Sequence, residues 1–278
     1  MERNRSEGWK HAKISGHDNE EILKKLLLSD NAYAQTFIHK FKKNSIKTIS
    51  ASGLKEHGIE SVLNDSTKAK ADISIEWNDD KKTLISIKKS RSGQVFLIKT
   101  SRFIDGFEKQ YNRSISKDVK KALMLFFGED EETIKIINNR DSHKNKQYEL
   151  RKSRLTFESL TLYNLELANL LILWLKENIM EITDYCFAKG LVKNKDNWAE
   201  FIWYKNLIGE DDFDEIIQIE KLSKKCYENK QFIEPGKQGG GTTIQLPFGF
   251  VQWHQSSMQF HHNYEKIISI MNKSDIYN

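Results

Sequence analysis

The sequence predicts a mixed α/β fold: a mixed central sheet flanked by helices, with a helical segment and a β-rich C-terminal part. Three observations point to it. Residues 71–77 and 82–88 alternate apolar and polar side chains with period two on either side of Asn78-Asp79-Asp80, the pattern of a hairpin. Residues 157–182 carry Leu and Ile at helical spacing. After Pro235 the texture changes to a Gly-rich loop and short strand-like pieces at 242–246 and 258–260. The order helix, sheet, helices, sheet fits one continuous core.

Taken in order, residues 15–28 read as an amphipathic helix. Ser15, Asp18 or Asn19 can cap it, and Glu20 and Glu21 suit its first turn. The hairpin follows. Residues 95–98 read as a third short strand or buried segment, and 102–112 as a helix. Residues 122–127 are apolar throughout, so periodicity leaves strand and buried helix open. The run 196–207 has the same helical look as 157–182. Trp174, Trp198 and Trp203 read as core. The expected organisation is a single domain over 1–278, with a first part in 1–150, a helical part in 151–234 and a C-terminal part in 235–278.

Composition narrows the class. Hydrophobic residues are 38% and charged residues 30% of 278, enough for a sizeable core and too apolar for a disordered chain. Mean hydropathy is -0.64, and no stretch approaches the ~18 to 20 apolar residues of a membrane span. The opening residues lead into no apolar signal region, so a cytoplasmic protein without a membrane partner is expected. Cys186 and Cys226 make neither a disulfide framework nor a zinc site. Net charge is +5, which alone says little. Its distribution says more: between Lys81 and Arg102 lie seven Lys or Arg and no carboxylate, a candidate phosphate-facing surface.

The chemistry concentrates on the hairpin. With the turn at 78–80, Asp72 and Lys88 lie at the same open end, and Ser86 and Lys88 share a face. A carboxylate, a polar oxygen and a lysine converging there can hold a divalent cation and a water beside a phosphate. That is the logic of the PD-(D/E)xK nucleases, with two departures. Ala71 stands where Pro is usual, and Ser86 where Asp or Glu is usual. A neutral hydroxyl leaves the site one charge short, so another carboxylate is required, with Glu20 first and Glu76 second.

On these residues the chain resembles the type II restriction endonucleases of the PD-(D/E)xK superfamily, in particular the four-base cutters of the MspI and HinP type. The resemblance runs through Gly16-His17-Asp18-Asn19-Glu20, Lys70-Ala71-Asp72-Ile73, Ser86-Ile87-Lys88, Trp174-Leu175-Lys176-Glu177-Asn178, Gly241-Thr242-Thr243-Ile244-Gln245 and Met258-Gln259-Phe260. Members of that group replace the second acidic residue by a neutral one, as Ser86 does here. The resemblance implies a restriction-endonuclease-like fold and Mg2+-dependent hydrolysis of double-stranded DNA at a short GC-containing palindrome, leaving 5′-phosphates. It also implies a cognate DNA methyltransferase as genetic partner, with a monomer or a homodimer as the cutting unit. Asp72, Glu20 and the Ile87 carbonyl would hold the metal. Asp72, Ser86, Lys88 and Glu20 would make up the catalytic set.

Around that core, Lys89 and Arg91 suit phosphates. Gln94, Gln245, Gln252, His254 and Gln259 carry the donors and acceptors that read base edges. No carboxylate occurs between Gly236 and Asn263. The loop 236–243 fails the Walker order, because no Lys directly precedes the Thr. It reads as a flexible loop or a close backbone approach to DNA. His261-His262-Asn263 is too compact for an HNH site, and Ser86 lacks the elbow of a nucleophilic serine. Two other readings remain open: a catalytically decayed DNA-binding protein on the same fold, suggested by Ser86, and a helical protein-interaction module built on 157–208.

Overall fold

The alternating stretches form a hairpin in the computed structural model, which describes residues 18–29, 31–51, 58–141, 154–209, 212–237 and 240–277. Helix α1 covers 18–28, and α2 (Ala32–Lys40) is capped by Asn31, whose side chain accepts the Ala34 N–H at 2.8 Å. Strands β1 (Ile46–Ala51), β2 (Ile59–Glu60), β3 (Ser66–Thr67), β4 (Ile73–Trp77), β5 (Lys82–Lys88) and β6 (Ser92–Lys99) follow. Helices α3 (Thr100–Tyr111), α4 (Lys117–Phe126), α5 (Glu132–Asp141), α6 (Phe157–Tyr163), α7 (Leu165–Glu177) and α8 (Ile179–Asp184) come next, and α8 runs into a π-helical turn, Tyr185–Lys189. Then come β7 (Phe201–Lys205), β8 (Asp214–Gln218) and α9 (Ile219–Glu228). The C-terminal group is β9 (Glu234–Pro235), β10 (Thr243–Leu246), β11 (Gly249–Trp253), β12 (Ser257–Asn263), α10 (Tyr264–Ile270) and β13 (Ile276–Tyr277).

The fold is mixed α/β. A six-stranded sheet has the order β1-β4-β5-β7-β8-β13, with β5 and β7 parallel and the other neighbours antiparallel. A second, antiparallel sheet has the order β6-β12-β11-β10-β9. Instead of one continuous core there are two clusters, because the first sheet buries both faces. Leu23, Leu27 and Phe37 of α1 and α2 cover Ile73, Ile75, Ile85 and Trp203 on one face. Ile202, Tyr204 and Ile217 on the other face join the larger cluster made with α3–α9 and the second sheet. Gly249, at φ +157°, is where the second sheet requires a missing side chain: a Cβ would come within 2.0 Å of the His261 carbonyl oxygen.

Several expectations change. The stretch 196–207 is a short 3-10 turn and then β7, because Phe201-Ile202-Trp203-Tyr204 are strand formers buried on both sides at the sheet centre, where alternation disappears. The ambiguous 122–127 segment lies in α4 and its end. The 157–182 run is three helices, interrupted at Asn164 and Asn178; the Asn164 side chain caps α7. Residues 95–98 belong to a strand of the second sheet. Trp174 and Trp203 are buried, whereas Trp198 is half-exposed, flanked by the Lys189 ammonium 4.4 Å from its ring centroid. Ser15, Gly16 and His17 lie outside the described residues, and Asp18 is already helical. No described helix is long and apolar enough to cross a membrane.

Candidate active site and nucleic-acid interface

The hairpin delivers the expected side chains to one end of the first sheet. Ile73 pairs with Ile85, so Asp72 continues the ladder opposite Ser86, where β4 has just begun. The Asp72 carboxylate accepts the Ile87 N–H at 2.6 Å and the Ser86 hydroxyl at 3.1 Å through Oδ2. Lys88 turns back along its own strand: Nζ donates to Ser86 Oγ at 2.7 Å and to the Ile87 carbonyl at 3.3 Å. Ser86, buried at the centre of this set, thus joins Asp72 to Lys88. Its hydroxyl relays hydrogen bonds between the two charged groups and carries no charge itself.

Helix α1 brings a second carboxylate, that of Glu20, under the influence of Asp72. Burial, then the neighbouring Asp72 charge, pushes the Glu20 carboxyl up to about 8, with Lys88 and Lys89 opposing the shift. Two carboxylates are therefore drawn together in a partly dehydrated place. The residue that brings Glu20 there is Asn19, one of the three candidate caps of this helix. It is 1% exposed: its Nδ2 donates to the Lys205 carbonyl at 3.1 Å and its Oδ1 accepts the Leu207 N–H at 2.8 Å. Those bonds fasten α1 to the end of β7. Glu76, the second candidate, lies at the opposite end of β4, paired with Lys47 at 2.9 Å.

The donor set suits a hard divalent cation. Asp72, Glu20 and the Ile87 carbonyl all offer oxygen, and a cation there would offset the burial and the Asp72 charge that raise the Glu20 carboxyl. Among the described residues no group of three or more His, Cys, Asp or Glu gathers as a metal site. The ion would thus depend on two side chains and a carbonyl. Mg2+, which retains several waters, tolerates such sparse protein ligation.

Two features around this centre are invisible in the sequence. Lys70 packs its ammonium 3.3 Å from the Phe96 ring centroid, and burial pulls it down to about 7. The buried His262 shares a 2.9 Å hydrogen bond with the Tyr204 hydroxyl, and Tyr204 is the register partner of Lys88. Burial first, and the Lys88 charge second, hold the His262 imidazole down to about 3, so it is neutral at ordinary pH. Such a group favours the folded state fully above its unfolded pKa of about 6.5 and loses that contribution as pH falls towards 3. His262→Gln is accordingly expected to flatten the acid side of the stability curve. Urea midpoints at pH 7 and pH 4.5 check it: wild type should lose up to about 1.4 kcal/mol more per pH unit than the variant.

The residues expected to face DNA fall on the second sheet and its approach. Lys89 directly follows Lys88; burial lowers its ammonium while Asp18 and Glu20 pull it back up. Arg91 pairs with Glu265 at 2.5 Å and packs over Tyr264. Gln94, Gln252 and Gln259, from three different strands, form a hydrogen-bonded row on the outer face of the second sheet. Gln245 lies on the next strand of that face, its Oε1 taking 2.8 Å from Lys266 Nζ. His254 sits off the row, in the β11–β12 turn. Arg154 and His261, which no sequence pattern marks as part of this face, join the row. In the glycine loop, Gly240 and Gly241 have φ of +68° and +79° and lie against Thr156 and Phe157. Gln238 and Gly239 lie outside the described residues.

No family model matches this chain, and neither does any curated protein. A solved structure that it is similar to is the crystal structure of restriction endonuclease MspI in complex with its cognate DNA, at 14% identity and a TM-score of 0.46, covering 87% of this chain and 83% of that one.

Proposed function

We propose that this protein is a type II site-specific deoxyribonuclease that hydrolyses phosphodiesters of double-stranded DNA at a short, GC-containing palindrome. The observation that carries the reading is the joining of Asp72, Ser86, Ile87 and Lys88 at one sheet end, with Glu20 beside Asp72. Asp72, Glu20 and the Ile87 carbonyl would hold Mg2+. When bound, the ion neutralises charge developing on the scissile phosphate. Lys88 orients the attacking water and places its positive charge against the pentavalent phosphorus. Ser86 fixes the Lys88 ammonium relative to Asp72. In-line attack then expels the 3′ oxygen and leaves a 5′-phosphate.

Lys89 and Arg91 serve this reaction as phosphate contacts, and Gln94, Gln245, Gln252, His254 and Gln259 as base readers. Removing Lys89 is expected to weaken binding to cognate and random duplexes alike, lowering the salt slope of log Kd by about one. Fluorescence anisotropy across a salt series measures it.

Plasmid digestion with Mg2+ or with EDTA tests the central activity. Discrete linear fragments with Mg2+ alone are expected, and an untouched plasmid in both would exclude the nuclease. Ser86 favours a second reading, a DNA-binding protein that has lost catalysis. Specific binding without cleavage under any divalent metal would select it.

A further inference from the structure

The glutamine row has a direction, and one residue imposes it. Arg154 Nη1 donates to Gln252 Oε1 at 3.1 Å, Gln252 Nε2 donates to Gln259 Oε1 at 2.7 Å, and Gln259 Nε2 donates to Gln94 Oε1 at 2.7 Å. A guanidinium has donors only. Gln252 must therefore turn its oxygen towards Arg154 and its nitrogen towards Gln259, and every later amide follows the same sense. His261 Nε2, 3.4 Å from Gln252 Nε2, sits on that nitrogen as well, with its ring stacked 4.5 Å from Phe250. Burial lowers the His261 pKa, which keeps the ring neutral and able to accept.

The consequence falls on the last amide. A glutamine with both its oxygen and its nitrogen open reads adenine, whose major-groove edge offers one acceptor and one donor. Gln94 is an exposed residue whose oxygen accepts from Gln259 on one side, so the group of its amide left without a partner among the described residues is the NH2. Two donors side by side match the O6 and N7 acceptors of guanine. We propose that the Arg154–Gln252–Gln259 relay converts Gln94 from an adenine reader into a guanine reader. This rests on the reading of the protein as a sequence-specific DNA nuclease and assigns one part of its specificity. Gln94 touches this base; towards it Gln259, Gln252 and Arg154 act as positioning residues that set its polarity, whatever other base pair Gln252 and Gln259 read.

Binding selection from a randomised 20-base-pair duplex pool, with Ca2+ in place of Mg2+, provides the test. Wild type should yield one consensus containing a base pair at which G exceeds A by roughly ten- to a hundredfold. Gln94→Leu should erase discrimination at one such pair. Gln259→Leu and Arg154→Met, which free the Gln94 oxygen or the row's direction, should bring G and A at that same pair to within a few fold. A consensus unchanged in both relay variants, or changed at a pair other than the one Gln94→Leu affects, overturns the relay and leaves the nuclease reading standing. A pool without any enrichment by wild type overturns the function itself.

Discussion

Asp72→Asn is expected to lower the cleavage rate by about a thousandfold or more while the chain stays folded and still binds DNA. The carboxylate brings a negative charge directly to the Ser86–Ile87 end of β5, and metal-assisted charge stabilisation is worth several kcal/mol, each ~1.4 kcal/mol being a factor of ten. Asparagine keeps an oxygen for the Ile87 N–H and the Ser86 hydroxyl, so the strand end retains its shape. Lys88→Met should act similarly, removing the ammonium and preserving the stem. Single-turnover cleavage at saturating Mg2+ measures both, with circular dichroism reporting the fold. Rates within tenfold of wild type for either variant would place the reacting phosphate elsewhere.

Glu20→Gln is expected to push activity and stability in opposite directions. Activity should fall on the order of a hundredfold, because the ion loses one of its two carboxylates. Stability should rise. Glu20 has a folded pKa near 8 against an ordinary value of 4.5, so its contribution is present below 4.5 and is lost as pH climbs through about 8. The variant imitates the protonated form at every pH. In EDTA its melting temperature should match wild type near pH 4.5 and exceed it increasingly towards pH 8. Mg2+ should close the gap by stabilising wild type alone. A gap that ignores both pH and Mg2+ would remove Glu20 from the metal site and leave the charge deficit of Ser86 unfilled.

The β4–β5 hairpin was legible because β4 buries Ile73, Ile75 and Trp77 on one face, leaving its period-two pattern intact, and because Asn78-Asp79-Asp80 marks the turn; Asp80 adopts φ +58° there. Asp72, Ser86 and Lys88 follow from that hairpin by parity alone. Glu20 over Glu76 was also decidable in principle, since four strand residues span roughly 13 Å and remove Glu76 from the Asp72 end. What stayed hidden depends on distant pairing. β7 lies between β5 and β8, buried on both faces, so it has no alternation to distinguish it from a helix. β6 meets β12, which follows it by more than 150 residues, and only that pairing puts Gln94 beside Gln259. Asn19 carried a capping signal, yet its amide is satisfied by Lys205 and Leu207 on the far side of the chain. Nothing in Lys70-Ala71-Asp72 announces that the Lys70 ammonium packs on the Phe96 ring.

Sequencing the ends of fragments from a long, fully known DNA digested in Mg2+, with Asp72→Asn in parallel, tests the account most directly. It predicts ends that share one short palindrome and carry 5′-phosphates, and no fragments from the variant. Ends scattered without a common sequence, or equal cutting by Asp72→Asn, would contradict it.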